Sequence, residues 1–162
     1  MNPPIPAVLE ALALSHDAPA QPQATFAAIE RAAADILGHR LFTVLVYWPG
    51  ASESQRIYSN MPDAYPVGGR KAVTNAPWMQ QVVQRGEFYI GRNAQDLREV
   101  FYDHELIDSL GCQSVLNLPV RWQGQTLGTV NLLHREGWYN ESHVAPARVL
   151  AQLALPALMG LQ

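Results

Sequence analysis

At 162 residues the chain is long enough for one domain with a substantial core. With 48% apolar and only 15% charged residues it is globular rather than disordered. A formal charge of −3 argues against nucleic acid or an anionic membrane surface as partner, since Arg70-Lys71 is the sole hint of a basic patch. The single Cys112 excludes an internal disulfide, no Cys/His cluster has zinc-site spacing, and a cytoplasmic location is expected. No basic segment followed by a long apolar run opens the chain, so neither a signal peptide nor a membrane span is expected.

Residues 1–22 are proline-rich around an apolar stretch at Ala7–Leu14 and read as an arm or a short leading helix. Residues 23–160 read as a single domain. An amphipathic helix is expected near Gln23–Leu37, where Phe26, Ile29, Ala33, Ile36 and Leu37 follow helical spacing and Gly38 ends it. Leu41–Trp48 is rich in β-branched and aromatic residues and reads as a strand broken by Pro49-Gly50; Gln55–Ser59 completes a hairpin. Asn60–Asn75 reads as irregular, Ala76–Arg85 as a helix with Pro77 in its first turn, and Glu87–Ile90 as a short strand. Asp96–Tyr102 and Asp103–Leu110 are short helical pieces. A last helix over Glu141–Leu158 is capped by Asn140 or Ser142 and kinked by Pro156.

Between these lies Cys112–Tyr139, two strands around a Gly-containing turn, each with one asparagine among apolar neighbours. A buried amide without a partner costs roughly 1–3 kcal/mol, so Asn117 and Asn131 require partners, either a ligand or one another and the backbone. Register decides whether they meet. A two-residue Gln123-Gly124 turn would set Asn117 opposite Val130, whereas a three-residue Gln123–Gln125 loop sets it opposite Asn131. The second register gathers Leu116, Leu118, Val120, Gly128, Val130 and Leu132 on one apolar face and is the one expected. The other face then carries Val115, Asn117, Pro119, Thr129, Asn131 and Leu133. Helices before and after the strands make an α+β domain, with the terminal helices side by side on the apolar face and the middle segment over the mixed one.

The strand GCQSVLNLPV, the strand QGQTLGTVNLLH and the following GWYNESHV resemble the GAF domain family in their order and spacing, and the resemblance spans Gln23 to Leu158. It implies a GAF-like (profilin-like) fold, a five- to six-stranded antiparallel sheet with a small-molecule pocket on the face away from the terminal helices. It also implies homodimerisation through those helices. An NKFDE-type signature of cyclic-nucleotide-binding members is absent. Asp103-His104 stands roughly where bilin-binding members have a Cys-His pair, which removes the thioether link. Free methionine sulfoxide reductases of this fold use several cysteines and acidic residues; here Asn131 and Val115 stand where they place an aspartate and a glutamate. Haem is a further group that the family admits, and the sequence leaves the cofactor open.

The ligand-contact candidates are therefore Asn117, Asn131 and, on the same face, Thr129, with Thr43 and Tyr47 on alternate positions of the first strand. Trp78, Phe88 and Tyr102 belong to the covering segment, as aromatic packing or as walls for a planar ligand. Asp103 and His104, with Glu105, form the one local cluster with acid–base potential, though such residues on a short helix are commonly just solvated. Gly68-Gly69 before Arg70-Lys71 suits a solvated loop or the presentation of a cation to an anion. The expected function is a non-catalytic sensory or binding domain, holding a small organic metabolite between the sheet and residues 60–110. The alternatives are a small redox or hydrolytic enzyme using Cys112 and His104, and an interaction module with a vestigial pocket.

Overall fold

In the computed structural model, which describes residues 3–162, helix α1 (Ile5–Ser15) precedes α2 (Gln23–Ile36). Of the two readings of residues 1–22, the helix is the one observed, and Val8 and Leu12 bury it in the core; residues 1 and 2 lie outside the described residues. On α2, Phe26, Ile29 and Ala33 recur at helical spacing on the buried face, and the helix ends just before Gly38.

Six strands follow: β1 (Leu41–Trp48), β2 (Glu53–Ser59), β3 (Arg70–Ala72), β4 (Tyr89–Gly91), β5 (Ser114–Trp122) and β6 (Gln125–His134). They form one open sheet in the order β3-β2-β1-β6-β5-β4, antiparallel throughout. The stretch expected to be irregular thus contributes an edge strand, β3, too short and polar to announce itself by alternation. The helix expected over Ala76–Arg85 begins as α3 (Pro77–Met79) and continues as a π-helical turn, Gln80–Gln84. Two short helices, α4 (Ala94–Val100) and α5 (His104–Ser109), complete the middle segment.

The last helix is in three parts. A 3₁₀ turn (Glu141–His143) is capped by the Asn140 side chain, α6 covers Val144–Gln152, and α7 covers Leu155–Met159. Pro146 falls in the first turn of α6, where a missing N–H is harmless, but Pro156 could not donate to Gln152 in a continuous helix, and the chain breaks at 153–154. Among the described residues, no helix is long and apolar enough to cross a membrane.

The helices α1, α2, α6 and α7 pack on one sheet face, burying Phe26, Ile29, Ala151 and Leu158 against Phe42, Val44, Leu116, Leu118, Val130 and Leu132. Trp138 Nε1 and Tyr139 Oη donate to the carbonyls of Leu37 and Gly38, tying the segment after β6 to the end of α2. The middle segment covers the opposite face.

The β5–β6 hairpin turns on two residues, Gln123 (φ +50°) and Gly124 (φ +77°), closed by Trp122 opposite Gln125. Both turn residues have positive φ, as a type I′ turn requires. Asn117 nevertheless faces Asn131, because pairing jumps from Arg121–Thr126 to Val120–Gly128 and leaves Leu127 as an extra residue on β6. The expected register is correct and its expected cause is not: a β-bulge, rather than a longer loop, supplies the one-residue shift. A second bulge lies between β1 and β2. Val44 faces Tyr58 and Leu45 faces Arg56, so Ile57 is the extra residue. Tyr58 thereby packs on Phe26 and Phe42 on the helix side while Arg56 turns to the opposite face.

At Gly128, β6 lies close against its neighbour β1; a Cβ built there would stand 2.2 Å from the Leu45 carbonyl oxygen. Backbone cannot retreat as a flexible side chain can. Gly128→Ala is expected to destabilise the fold by about 1–3 kcal/mol, as overpacking does. A urea-denaturation midpoint unchanged from the parent would contradict this reading of the close approach.

Candidate ligand-binding site

Between the mixed sheet face and the middle segment lies a cavity of about 620 Å³. Its floor is laid by strand alternation: Thr43 and Leu45 from β1, Ser54 and Arg56 from β2, Lys71 from β3, Val115 and Asn117 from β5, Asn131 and Leu133 from β6. Its roof comes from Tyr65–Val67, from Trp78 and Met79, and from Val100–Asp103 with Leu106 and Ile107.

One pole is a relay of amides. Trp78 Nε1 donates to Asn117 Oδ1 at 3.1 Å, Asn117 Nδ2 donates to Asn131 Oδ1 at 2.8 Å, and Asn131 Nδ2 donates to Thr43 Oγ1 at 3.2 Å. The asparagines are 1% and 5% exposed. Each carboxamide carries two N–H donors and an oxygen with two lone pairs, so the relay leaves capacity unused on Asn117 Nδ2 and on both oxygens. The two readings of the pair are therefore compatible: they bond one another and they line the cavity.

The other pole is charged. Tyr65 Oη donates to Asp103 Oδ2 at 2.6 Å, and the Arg56 guanidinium lies over the Tyr65 ring, 3.7 Å from its centroid. Arg56 also donates to the Pro66 carbonyl at 2.9 Å and stands 3.9 Å from Asp103, while its Nε is buried without a partner. Asp103 sits at the N-cap of α5 but makes no side-chain cap bond, its carboxylate being turned to Tyr65 instead. Burial raises the Tyr65 phenol above its ordinary pKa; Arg56 opposes this and Asp103 adds to it. Lys71 Nζ lies 3.9 Å from the centroid of Tyr102, a residue 79% exposed at the cavity mouth. Burial lowers the Lys71 pKa, with Asp103 pulling it up and Arg56 pressing it down.

Six of the residues singled out from the sequence thus line one cavity: Asn117, Asn131, Thr43, Trp78, Tyr102 and Asp103. Four lie elsewhere. Tyr47 and Thr129 share the sheet face, but at the end where the π turn packs on β5 and β6, and Thr126 Oγ1 reaches the Val82 carbonyl there. Their two hydroxyls are buried without partners, and burial pushes the Tyr47 phenol up with only partial relief from the nearby Thr129 hydroxyl. Phe88 packs toward the helix-side core, with Arg148 over its ring. His104 lines a separate hollow of about 300 Å³ together with Cys112, Arg98, Glu105 and Asp108. Of Arg70-Lys71, only Lys71 enters the cavity; Arg70 pairs with Glu53 and faces Trp48. Arg56 and Tyr65 escaped the sequence reading, although an arginine two residues before an aromatic strand position is a signal that attention to bulges could have caught.

The GAF domain family profile matches residues 21–158. The chain belongs to the GAF domain family. GAF domains are known as sensory and ligand-binding domains of signalling proteins. Among solved structures, the GAF domain of an Acinetobacter phosphoenolpyruvate-protein phosphotransferase superposes with a TM-score of 0.73 at 13% identity, over 96% of this chain and 92% of the other. A methyl-accepting chemotaxis protein fragment, residues 122 to 287, gives 0.71 at 14% identity over 96% and 98%. The chromophore-binding domain of a bacteriophytochrome from R. palustris gives 0.68 at 12% identity over 96% and 61%. No curated protein matches the chain by sequence.

Within this GAF domain Cys112 is 1% exposed, its Sγ 3.9 Å from the Leu110 carbonyl, and burial pushes the thiol up to about 11 against a weaker opposing pull from Arg40. A thiol held protonated is a poor nucleophile. The folded state therefore keeps a proton that the unfolded chain releases near pH 9, and this contribution to stability is lost as pH rises from about 9 to about 11. Two outcomes are expected: negligible iodoacetamide labelling of the native protein at pH 7.5, and a shallower loss of stability over that pH window in Cys112→Ala. Rapid stoichiometric labelling without unfolding would show the thiol to be accessible and activated.

Proposed function

We propose that this GAF domain is a non-catalytic sensory module that holds a small organic metabolite between its sheet and residues 60–110. The observation that carries the reading is the cavity itself, about 620 Å³ on the sheet face the terminal helices leave bare, with an amide pair at one pole and charged groups at the other. That volume falls within the range of about 300–1,000 Å³ usual for small-molecule sites. Val67, Tyr102 and Leu106, exposed apolar side chains, gather at its lining, as a ligand entrance favours. No histidine or cysteine lines it among the described residues, and Cys112 is held protonated, so the reading assigns the site binding rather than chemistry.

The test is a thermal-shift screen of a metabolite library. A ligand at about 100 times its dissociation constant adds roughly 2.7 kcal/mol of stability. Leu45→Trp, which projects a large ring into the cavity from its floor, is expected to fold and to lose that stabilisation. A hit that stabilises parent and Leu45→Trp alike would place binding outside the cavity and contradict the proposal.

The module works in the cytoplasm as a homodimer, with no nucleic-acid partner. The buried free thiol suits a reducing compartment, and the net charge of −3 disfavours a polyanion. On the helical layer Ile5, Leu14 and Val149 are 60%, 66% and 55% exposed, and a second copy would cover them. Sedimentation equilibrium at micromolar concentration is expected to give a dimer that Val149→Lys weakens; a monomeric parent would remove the dimer from the reading.

A further inference from the structure

We infer that the ligand of this cavity is an amphipathic organic acid, its anionic head between Arg56 and Lys71 and its far end bonded to Asn117 and Asn131. The inference rests on the binding role proposed above and names the class of molecule bound.

Charge is the first argument. The cavity lining holds two cations, Arg56 and Lys71, and one carboxylate, Asp103. That carboxylate is already engaged by Tyr65 Oη at 2.6 Å, with Arg56 at 3.9 Å. Among the described residues Lys71 has no carboxylate within ion-pair distance; its ammonium rests on the Tyr102 ring. One positive charge is left over, in a site partly shielded from water, where an anion is attracted more strongly than in solvent.

Hydrogen bonding is the second. Arg56 Nε is buried and unpartnered, an arrangement that is costly unless an acceptor arrives. An anionic oxygen is the acceptor that guanidinium N–H groups bind best. Register places Arg56 and Lys71 together. Ser54 faces Lys71 across the β2–β3 ladder, and Arg56 lies two residues from Ser54, on the same side of the strand. Both cations therefore stand on neighbouring strands at one edge of the floor.

The remainder of the lining sets the body of the ligand. Leu45, Met79, Phe101, Val115 and Leu133 also line the cavity, which calls for an apolar or flat framework. At the far end the unused N–H of Asn117 and the free lone pairs of both carboxamide oxygens suit a hydroxyl or carbonyl. A highly charged ligand such as a nucleoside polyphosphate fits poorly, because Asp103 would repel it and a single surplus cation could not neutralise it.

Two fluorescent probes separate this inference from the binding role beneath it: 8-anilinonaphthalene-1-sulfonate, and N-phenyl-1-naphthylamine, the same ring system without the anion. The expected result is that both bind the parent, that Leu45→Trp abolishes both, and that the sulfonate binds about tenfold tighter, as one charge-assisted bond would provide. Lys71→Gln, at a half-open edge strand, is expected to erase that preference while leaving the neutral dye within about twofold of the parent. Equal affinity for the two dyes, or a preference that survives Lys71→Gln, overturns the organic-acid inference and leaves the binding role standing. Failure of both dyes to bind the parent, or dye binding unaffected by Leu45→Trp, overturns the cavity as a binding site and the inference with it.

Discussion

A single surplus residue on β6, Leu127, decides what this molecule has on each side of its sheet. The tight Gln123-Gly124 turn alone would pair Asn117 with Val130 and send Asn131 into the layer of Phe26, Leu116 and Leu118. There a carboxamide would meet aliphatic side chains and lose its hydrogen bonds, at a cost of about 1–3 kcal/mol. With Leu127 looped out, every residue of β6 beyond it exchanges faces, the helix side becomes wholly apolar, and the two amides meet. Hydrophobic packing enforces this register far more strongly than the amide bond could by itself. The polar pair is thus held in place by the core on the opposite face.

Ile57 does for β2 what Leu127 does for β6. Were Ile57 paired in register instead, Arg56 would fall opposite Val46 and point to the helix side of the sheet. Bulges recur beside functional sites, where they re-aim side chains at the cost of a local break in the ladder. Here two of them assemble a floor with amides toward one end and cations at the other. The polarity of the cavity therefore lies in the backbone register, and side-chain chemistry only fills it in.

The fold was largely legible because its signals are redundant. The strand at Leu41–Trp48, the helix ended by Gly38 and the apolar half of the β5–β6 hairpin each followed from a period of 2.0 or 3.6. The candidate site was legible only where one residue contradicted its surroundings, as Asn117 and Asn131 do within runs of Leu and Val. Alternation lost Arg56 because the Ile57 bulge interrupts it, and it could not assign a side to Phe88, next to a strand of three residues. Alternation puts Tyr47 and Thr129 on the cavity face of the sheet, but no sequence period announces the π turn at Gln80–Gln84 that packs over that end of it. Tyr65 comes from an irregular stretch, where position follows from tertiary contacts alone.

The same division between floor and roof bears on how binding could become a signal. A ligand shifts an equilibrium only by the difference between its affinities for the two states, and moving a population from 1:99 to 99:1 takes about 5.5 kcal/mol of such difference. Asn117, Asn131, Thr43 and Arg56 stand on long, paired strands and offer similar contacts whatever the roof does. Under the proposed binding role they would supply affinity and specificity, and little differential. The contacts that can change are those of Tyr65, Trp78 and Asp103, carried by short or irregular segments, and of Lys71 on a three-residue edge strand. Trp78 couples the two sets directly, since its indole N–H is donated to the amide relay on the floor. A ligand that competes for Asn117 Oδ1 would free Trp78, and one that leaves that bond intact would hold the roof down. In the proposed module, whether the switch is an opening or a closing would thus depend on how the ligand's far end treats a single acceptor oxygen.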